Sequence, residues 1–139
     1  MASVKNCPIC NIGGRILLQN DKAVAFLSDP RKVTGHLIIS PKRHIEKPWE
    51  MTESELVDVF GLINILEQKL IGKIGDGFDV RQNYRPFLEE SRLKLDHILY
   101  HLIPRRKFDH IYEISERFDT VLFTALPDQE TEIINTMLK

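Results

Sequence analysis

Cys7-Pro8-Ile9-Cys10, His44 and the stretch His97-Ile98-Leu99-Tyr100-His101 hold the side chains of this chain best suited to chemistry. A Cys-x-x-Cys spacing lets two thiolates bind one zinc ion at tetrahedral angles, with bonds of about 2.3 Å. Two further ligands are then needed, and His44 and His97 are candidates. The same pair also reads as a redox couple or as inert reduced thiols. A redox Cys-x-x-Cys normally follows a strand and opens a helix, and a motif starting at residue 7 leaves little room for that strand. The stretch from His97 to Arg105 is rich in apolar and β-branched residues and reads as a strand. Side chains alternate along a strand, so His97, Leu99 and His101 share a face and Tyr100 takes the other. Two histidines on one face suit a phosphate or a metal. The residue between them has no lone pair and no exchangeable proton, so Leu99 decides between an enzyme and a binding protein.

The elements that would position these residues follow from periodicity and punctuation. Arg15–Gln19 and Ala23–Ser28 are expected strands, joined as a hairpin at Asn20-Asp21. His36–Ser40 is a third strand, ended by Pro41. Thr52-Glu53-Ser54-Glu55 fits a capping box that opens a helix, and Gly72 closes it. Leu56, Phe60, Ile63, Leu66 and Leu70 recur at helical spacing and are expected to be its core stripe. Phe78–Tyr84 and Leu95–Ile103 are the fourth and fifth strands, separated by a polar loop, Arg85–Lys94. Pro127-Asp128 opens a last amphipathic helix carrying Ile133, Ile134, Met137 and Leu138. Short strands with one long helix argue an α+β domain on an antiparallel sheet. At 139 residues, the chain is expected to form a single domain over 1–139.

The bulk properties exclude little but are consistent. A net charge of −1 gives no reason to expect nucleic acid or an anionic membrane as partner. Arg105-Arg106-Lys107 reads as a solvated turn, and His110 as a surface histidine. No apolar run approaches the ~20 residues of a membrane-spanning helix. Met1–Cys7 has no signal-peptide core. A cytoplasmic location is therefore expected, and in a reducing compartment a close cysteine pair suggests a metal or redox site before a disulfide.

Four ordered blocks together carry a resemblance. They are Ala25-Phe26, Gly35 to His44 (GHLIISPKRH), Gly77-Phe78-Asp79-Val80 and His97 to Arg105. Over about residues 7–105 the chain resembles the histidine triad (HIT) proteins, with the middle histidine of their His-x-His-x-His signature replaced by Leu99. Residues 106–139 would then be a C-terminal extension. The resemblance implies a HIT-like fold: a five-stranded antiparallel sheet, one long central helix and a C-terminal helix. It also implies a homodimer and a structural zinc held by Cys7, Cys10, His44 and His97. HIT proteins are nucleotide hydrolases and nucleotidyl transferases acting at an α-phosphate, so a purine nucleotide or nucleotide conjugate is the implied partner. The family's middle histidine attacks phosphorus to give a covalent nucleotidyl-histidine; here that position is Leu99. His101 matches the third histidine, which contacts phosphate, and His36 matches a histidine that supports the triad. Asn83 matches an asparagine near the phosphate. The family's Gly-Gln-Ser/Thr phosphate loop aligns with Arg92-Leu93-Lys94, so two cations replace a backbone cradle. The ribose-binding aspartate aligns with Ser28, with Asp29 beside it. Three readings follow: a nucleotide-binding protein with impaired or no turnover, a hydrolase using His101 or a directly activated water, and a zinc-stabilised scaffold without nucleotide.

Overall fold

The computed structural model describes residues 5–139; Met1–Val4, part of the stretch read for a signal-peptide core, lie outside them. The chain divides into two compact units, one ending at Lys107 and one spanning Phe108–Lys139. In the first, β1 (Leu18–Gln19), β2 (Ala23–Leu27), β3 (Leu37–Pro41), β4 (Gly77–Arg81) and β5 (Tyr100–Arg105) form one sheet, with α1 (Glu53–Leu70) between β3 and β4. The strand order is β1-β2-β3-β5-β4 and every pairing is antiparallel, as expected.

Alternation along the strands sends two apolar sets to opposite faces. Ala23, Ala25, Leu37, Ile39 and Leu102 pack against Val59, Leu62, Ile63 and Leu66 of α1. On the other face Val24, Phe26 and Ile38 join Cys7 and Ile9, with Ile12, Ile16, Leu95 and Leu99 packed around them. The buried stripe of α1 is Glu55, Val59, Leu62, Ile63 and Leu66, rotated from the expected one. Leu56 and Phe60 are exposed, because the capping end sets the helix's rotation. Thr52 accepts the Glu55 N–H at 3.2 Å, and Glu55 accepts the Thr52 N–H at 2.9 Å, closing the capping box. That turns Glu55 inward. Arg43 meets it with two hydrogen bonds of 3.0 and 2.8 Å, and these hold its carboxyl down at about 2.

Strand limits differ from the expected ones for local reasons. Pro41 belongs to β3, paired with Ala23, rather than ending it. Its neighbour Lys42 donates to Lys22 O at 2.8 Å, so the proline is not asked for a bond to β2. Pro104 lies inside β5, beyond the last rung with β3. Gly13–Arg15 forms a 3-10 turn that shortens β1. β4 stops at Arg81 rather than Tyr84, and β5 begins at Tyr100 rather than Leu95. Residues 95–99 leave the ladder because Ile98 N–H bonds Ile45 O at 2.7 Å.

The second unit holds α2 (His110–Ile114), a 3-10 segment over Glu116–Leu122 and α3 (Glu130–Met137). Asp109 caps α2 by accepting the Tyr112 N–H at 2.9 Å, a short helix the sequence reading left out. α3 buries none of its residues; Ile133, Ile134, Met137 and Leu138 are all exposed.

Candidate functional site

The N-terminal turn, the segment after β3 and the segment before β5 converge on one point. Cys7 Sγ, Cys10 Sγ, His44 and His97 place one ligand atom each within 4.8 Å of the others. Nδ1 of His97 lies 3.4 Å from Cys7 Sγ and 3.7 Å from Cys10 Sγ, and Nδ1 of His44 lies 3.4 Å from Cys10 Sγ. A tetrahedral zinc with ordinary bond lengths sets sulfur–nitrogen separations of about 3.6 Å. The far nitrogens fix the tautomers. Nε2–H of His97 donates to Pro41 O at 3.0 Å, and Nε2–H of His44 donates to the Glu46 carboxylate at 2.8 Å. Both Nδ1 lone pairs therefore face the sulfurs, and their outer partners are the kind that steady metal-bound imidazoles. Burial pushes the Cys7 thiol up and holds His97 down at about 4, with His44 adding to the latter. A neutral imidazole is already a ligand, and a bound cation is what would favour the thiolate in such a place. The donor set fits zinc. Glu46 was not among the candidates, although a carboxylate two residues from a ligating histidine is a legible signal.

Two residues beyond His97, Leu99 and then His101 line a cavity of about 910 Å³. Leu99 packs with Phe26 and Ile38, while Tyr100 packs on the α1 face, so the expected alternation holds even where the ladder is interrupted. A second chain of hydrogen bonds reaches His101 from behind. The Lys32 backbone N–H donates to His36 Nδ1 at 3.1 Å, which leaves the His36 proton on Nε2. That nitrogen lies 2.9 Å from His101 Nδ1 and donates to it. The His101 proton is thereby placed on Nε2. Burial, then Lys32 and Arg81, holds His101 down at about 4; burial, His101 itself and the same two cations do so for His36. Both rings are neutral at pH 7. His101 is set as a hydrogen-bond donor with its Nδ1 occupied, which suits a phosphate oxygen and does not suit attack on phosphorus.

The other candidate residues are brought to the same cavity. Ser28, Asn83, Arg92 and Lys94 all line it. Lys94 pairs with Asp96, and the Ser28 hydroxyl donates to Pro30 O at 2.8 Å. Arg81, cross-strand from His101, pairs with Asp79 at 3.0 Å. Arg85 lines the cavity; partial desolvation, then Arg81 and Arg85, push the Lys32 ammonium down. The importance of Lys32 was hidden because its contribution to the relay comes from its backbone. His110 opens α2 in the second unit.

A family model described as HIT domain matches residues 11–108. An adenosine 5'-monophosphoramidase of Candida albicans is 29% identical over 118 residues, 76% of this chain and 74% of that protein. An asymmetrical bis(5'-nucleosyl)-tetraphosphatase of Schizosaccharomyces pombe is 26% identical over 108 residues, 70% of this chain but only 53% of that protein. Among solved structures, a Streptococcus mutans protein superposes with a TM-score of 0.74 at 23% identity, covering 99% of this chain and 88% of that one, a likeness of fold.

Proposed function

The chain belongs to the HIT domain family, and from that premise we propose that it binds a purine nucleotide or nucleotide conjugate with impaired or no turnover. Leu99 carries this reading: it occupies the cavity wall at the position where the family attacks phosphorus. Relatives that are a phosphoramidase and a dinucleoside tetraphosphatase support a nucleotide ligand. The apolar side of the cavity, with Ile12, Phe26 and Ile38, receives the base, and Ser28 with Asp29 beside it suits the ribose. Asn83, Arg92 and His101 Nε2–H meet phosphate oxygens. Cys7, Cys10, His44 and His97 would hold zinc, which supplies structural cross-linking when bound. A homodimer and a cytoplasmic location go with the family resemblance and the reduced cysteine pair.

The test sets the protein beside its Leu99→His variant, with AMP binding and hydrolysis of an adenosine phosphoramidate as readouts. The expected result is AMP binding by both and turnover at least ~100-fold faster in the variant, the scale of a restored nucleophile. Wild-type turnover that is lost in His101→Ala overturns the reading in favour of a hydrolase. Absence of AMP binding at millimolar concentration overturns it in favour of a scaffold.

A further inference from the structure

Arg15 lines the cavity, and no role described so far uses it. It closes the 3-10 turn Gly13–Arg15. Its backbone N–H donates to Ile12 O at 3.1 Å, which fixes it beside a residue of the cavity's apolar side. The guanidinium is held twice. It lies over the Phe26 ring, 5.5 Å from the centroid, and Nη2 donates to Leu27 O at 2.6 Å. An aromatic face attracts a guanidinium at that separation. Among the described residues no carboxylate pairs with it. An arginine carries a planar fork of N–H donors, and Leu27 O takes only part of it.

The sheet register says which part of a nucleotide this fork meets. Phe26 pairs with Ile38, and Ile38 pairs with His101. Phe26 therefore stands two strand spacings, about 10 Å, from His101. A phosphate held by His101 Nε2–H leaves Arg15 to the base on the Phe26–Ile38 side. Ile12, Phe26 and Ile38 are apolar and accept either purine. The purines differ at the edge a donor fork touches. Guanine presents two acceptors there, O6 and N7, which a guanidinium takes as a bidentate pair, whereas adenine has an amino donor in place of O6. Donor facing donor leaves polar groups unpaired, which costs affinity. We propose that Arg15 is the specificity-determining residue of the base side, reading the O6/N7 edge and selecting guanine over adenine. This rests on the reading of the cavity as a nucleotide site, and it adds which purine is chosen and by which side chain.

GMP, IMP and AMP are titrated into the full chain by calorimetry. IMP keeps O6 and N7 and lacks the 2-amino group of guanine, so it separates reading of that edge from contacts elsewhere on the ring. GMP and IMP are each expected to bind about tenfold tighter than AMP, an ordinary size for one bidentate base contact. Arg15→Ala is expected to bring that preference within about twofold. Arg15→Gln, whose amide matches adenine N6 and N7, is expected to turn it towards AMP. Trp49 is the single tryptophan and meets Tyr84, a lining residue, edge to face with centroids 5.3 Å apart. Unchanged emission therefore shows that the cavity wall is intact, and Arg15→Gln carries the test where Arg15→Ala alone alters it. Equal wild-type affinities for GMP and AMP, or a preference that survives Arg15→Ala, overturns the assignment while the nucleotide reading stands. IMP binding as weakly as AMP overturns it as well, because selection then lies at the 2-amino group. Binding of none of the three overturns the nucleotide reading itself.

Discussion

The two faces of the sheet are built from the same five strands and finished differently. On one, Val59, Leu62, Ile63 and Leu66 of α1 close over Ala23, Ala25, Leu37, Ile39 and Leu102, and the only buried charge of α1, Glu55, is bonded to Arg43. On the other, a short irregular segment around Cys7 and Ile9 covers Val24, Phe26 and Ile38, and beside it lies the cavity with His101 and Leu99. A helix seals a sheet by area and needs no particular chemistry. A segment with no regular element must be pinned by something else, here the convergence of Cys7, Cys10, His44 and His97, a group that could hold a metal ion. The lesson is that the cysteine–histidine cluster stands where a second helix would otherwise be needed, and it leaves room for a ligand next to it.

That contrast gives three perturbations of decreasing size. If the proposed zinc is bound, removing it should be the most damaging. Elemental analysis is expected to find one zinc per chain, and chelation or Cys7→Ser should lower Tm by about 15 °C or more, since structural zinc can contribute ~10 kcal/mol or more of folding free energy. Chelation with Tm unchanged would make the two faces equivalent and break the comparison. On the closed face, Leu62→Ala leaves a cavity under α1 and should cost about 2–5 kcal/mol, read as a Tm loss of roughly 10 °C. Its AMP affinity should stay within about twofold; a larger loss would show that the closed face shapes the open one.

The smallest effect is the share of the acid response that belongs to the His36–His101 pair, to which His97 of the cluster, also held at about 4 by burial, adds its own. His36 and His101 sit at about 4, chiefly because burial disfavours the charged ring. The unfolded chain takes up protons at these rings below about 6.5, and the folded chain refuses them until about 4. Stability is therefore fully present above about pH 6.5 and falls as pH drops towards 4. The expected Tm loss across this window is about 5 °C, and a shrunken loss in His101→Asn assigns it to the pair. An unchanged loss would place the acid sensitivity elsewhere.

Much of this was legible in the residues. Cys-x-x-Cys, His44 and His97 named the cluster because ligand chemistry depends on residue type. Alternation along a strand is enough to put Leu99 and His101 on one face. The capping box at Thr52 was visible, yet the buried stripe of α1 was not, because the box turns Glu55 inward and its partner there, Arg43, lies twelve residues away. The start of β5 was missed because hydrophobic patterning cannot register a single bond from Ile98 to Ile45. Trp49 and Tyr84, far apart in sequence, become a pair only through the fold.

The contact between Cys7 and His97 spans 90 residues of chain. Closing a flexible loop of that length costs roughly 4 kcal/mol in entropy, and nothing local in the sequence helps to meet that cost. α1, by contrast, is assembled from neighbours and carries its own cap. The cluster is thus the clasp of the first unit: it ties the N-terminal turn to the segments after β3 and before β5, residues that only the folded chain brings together.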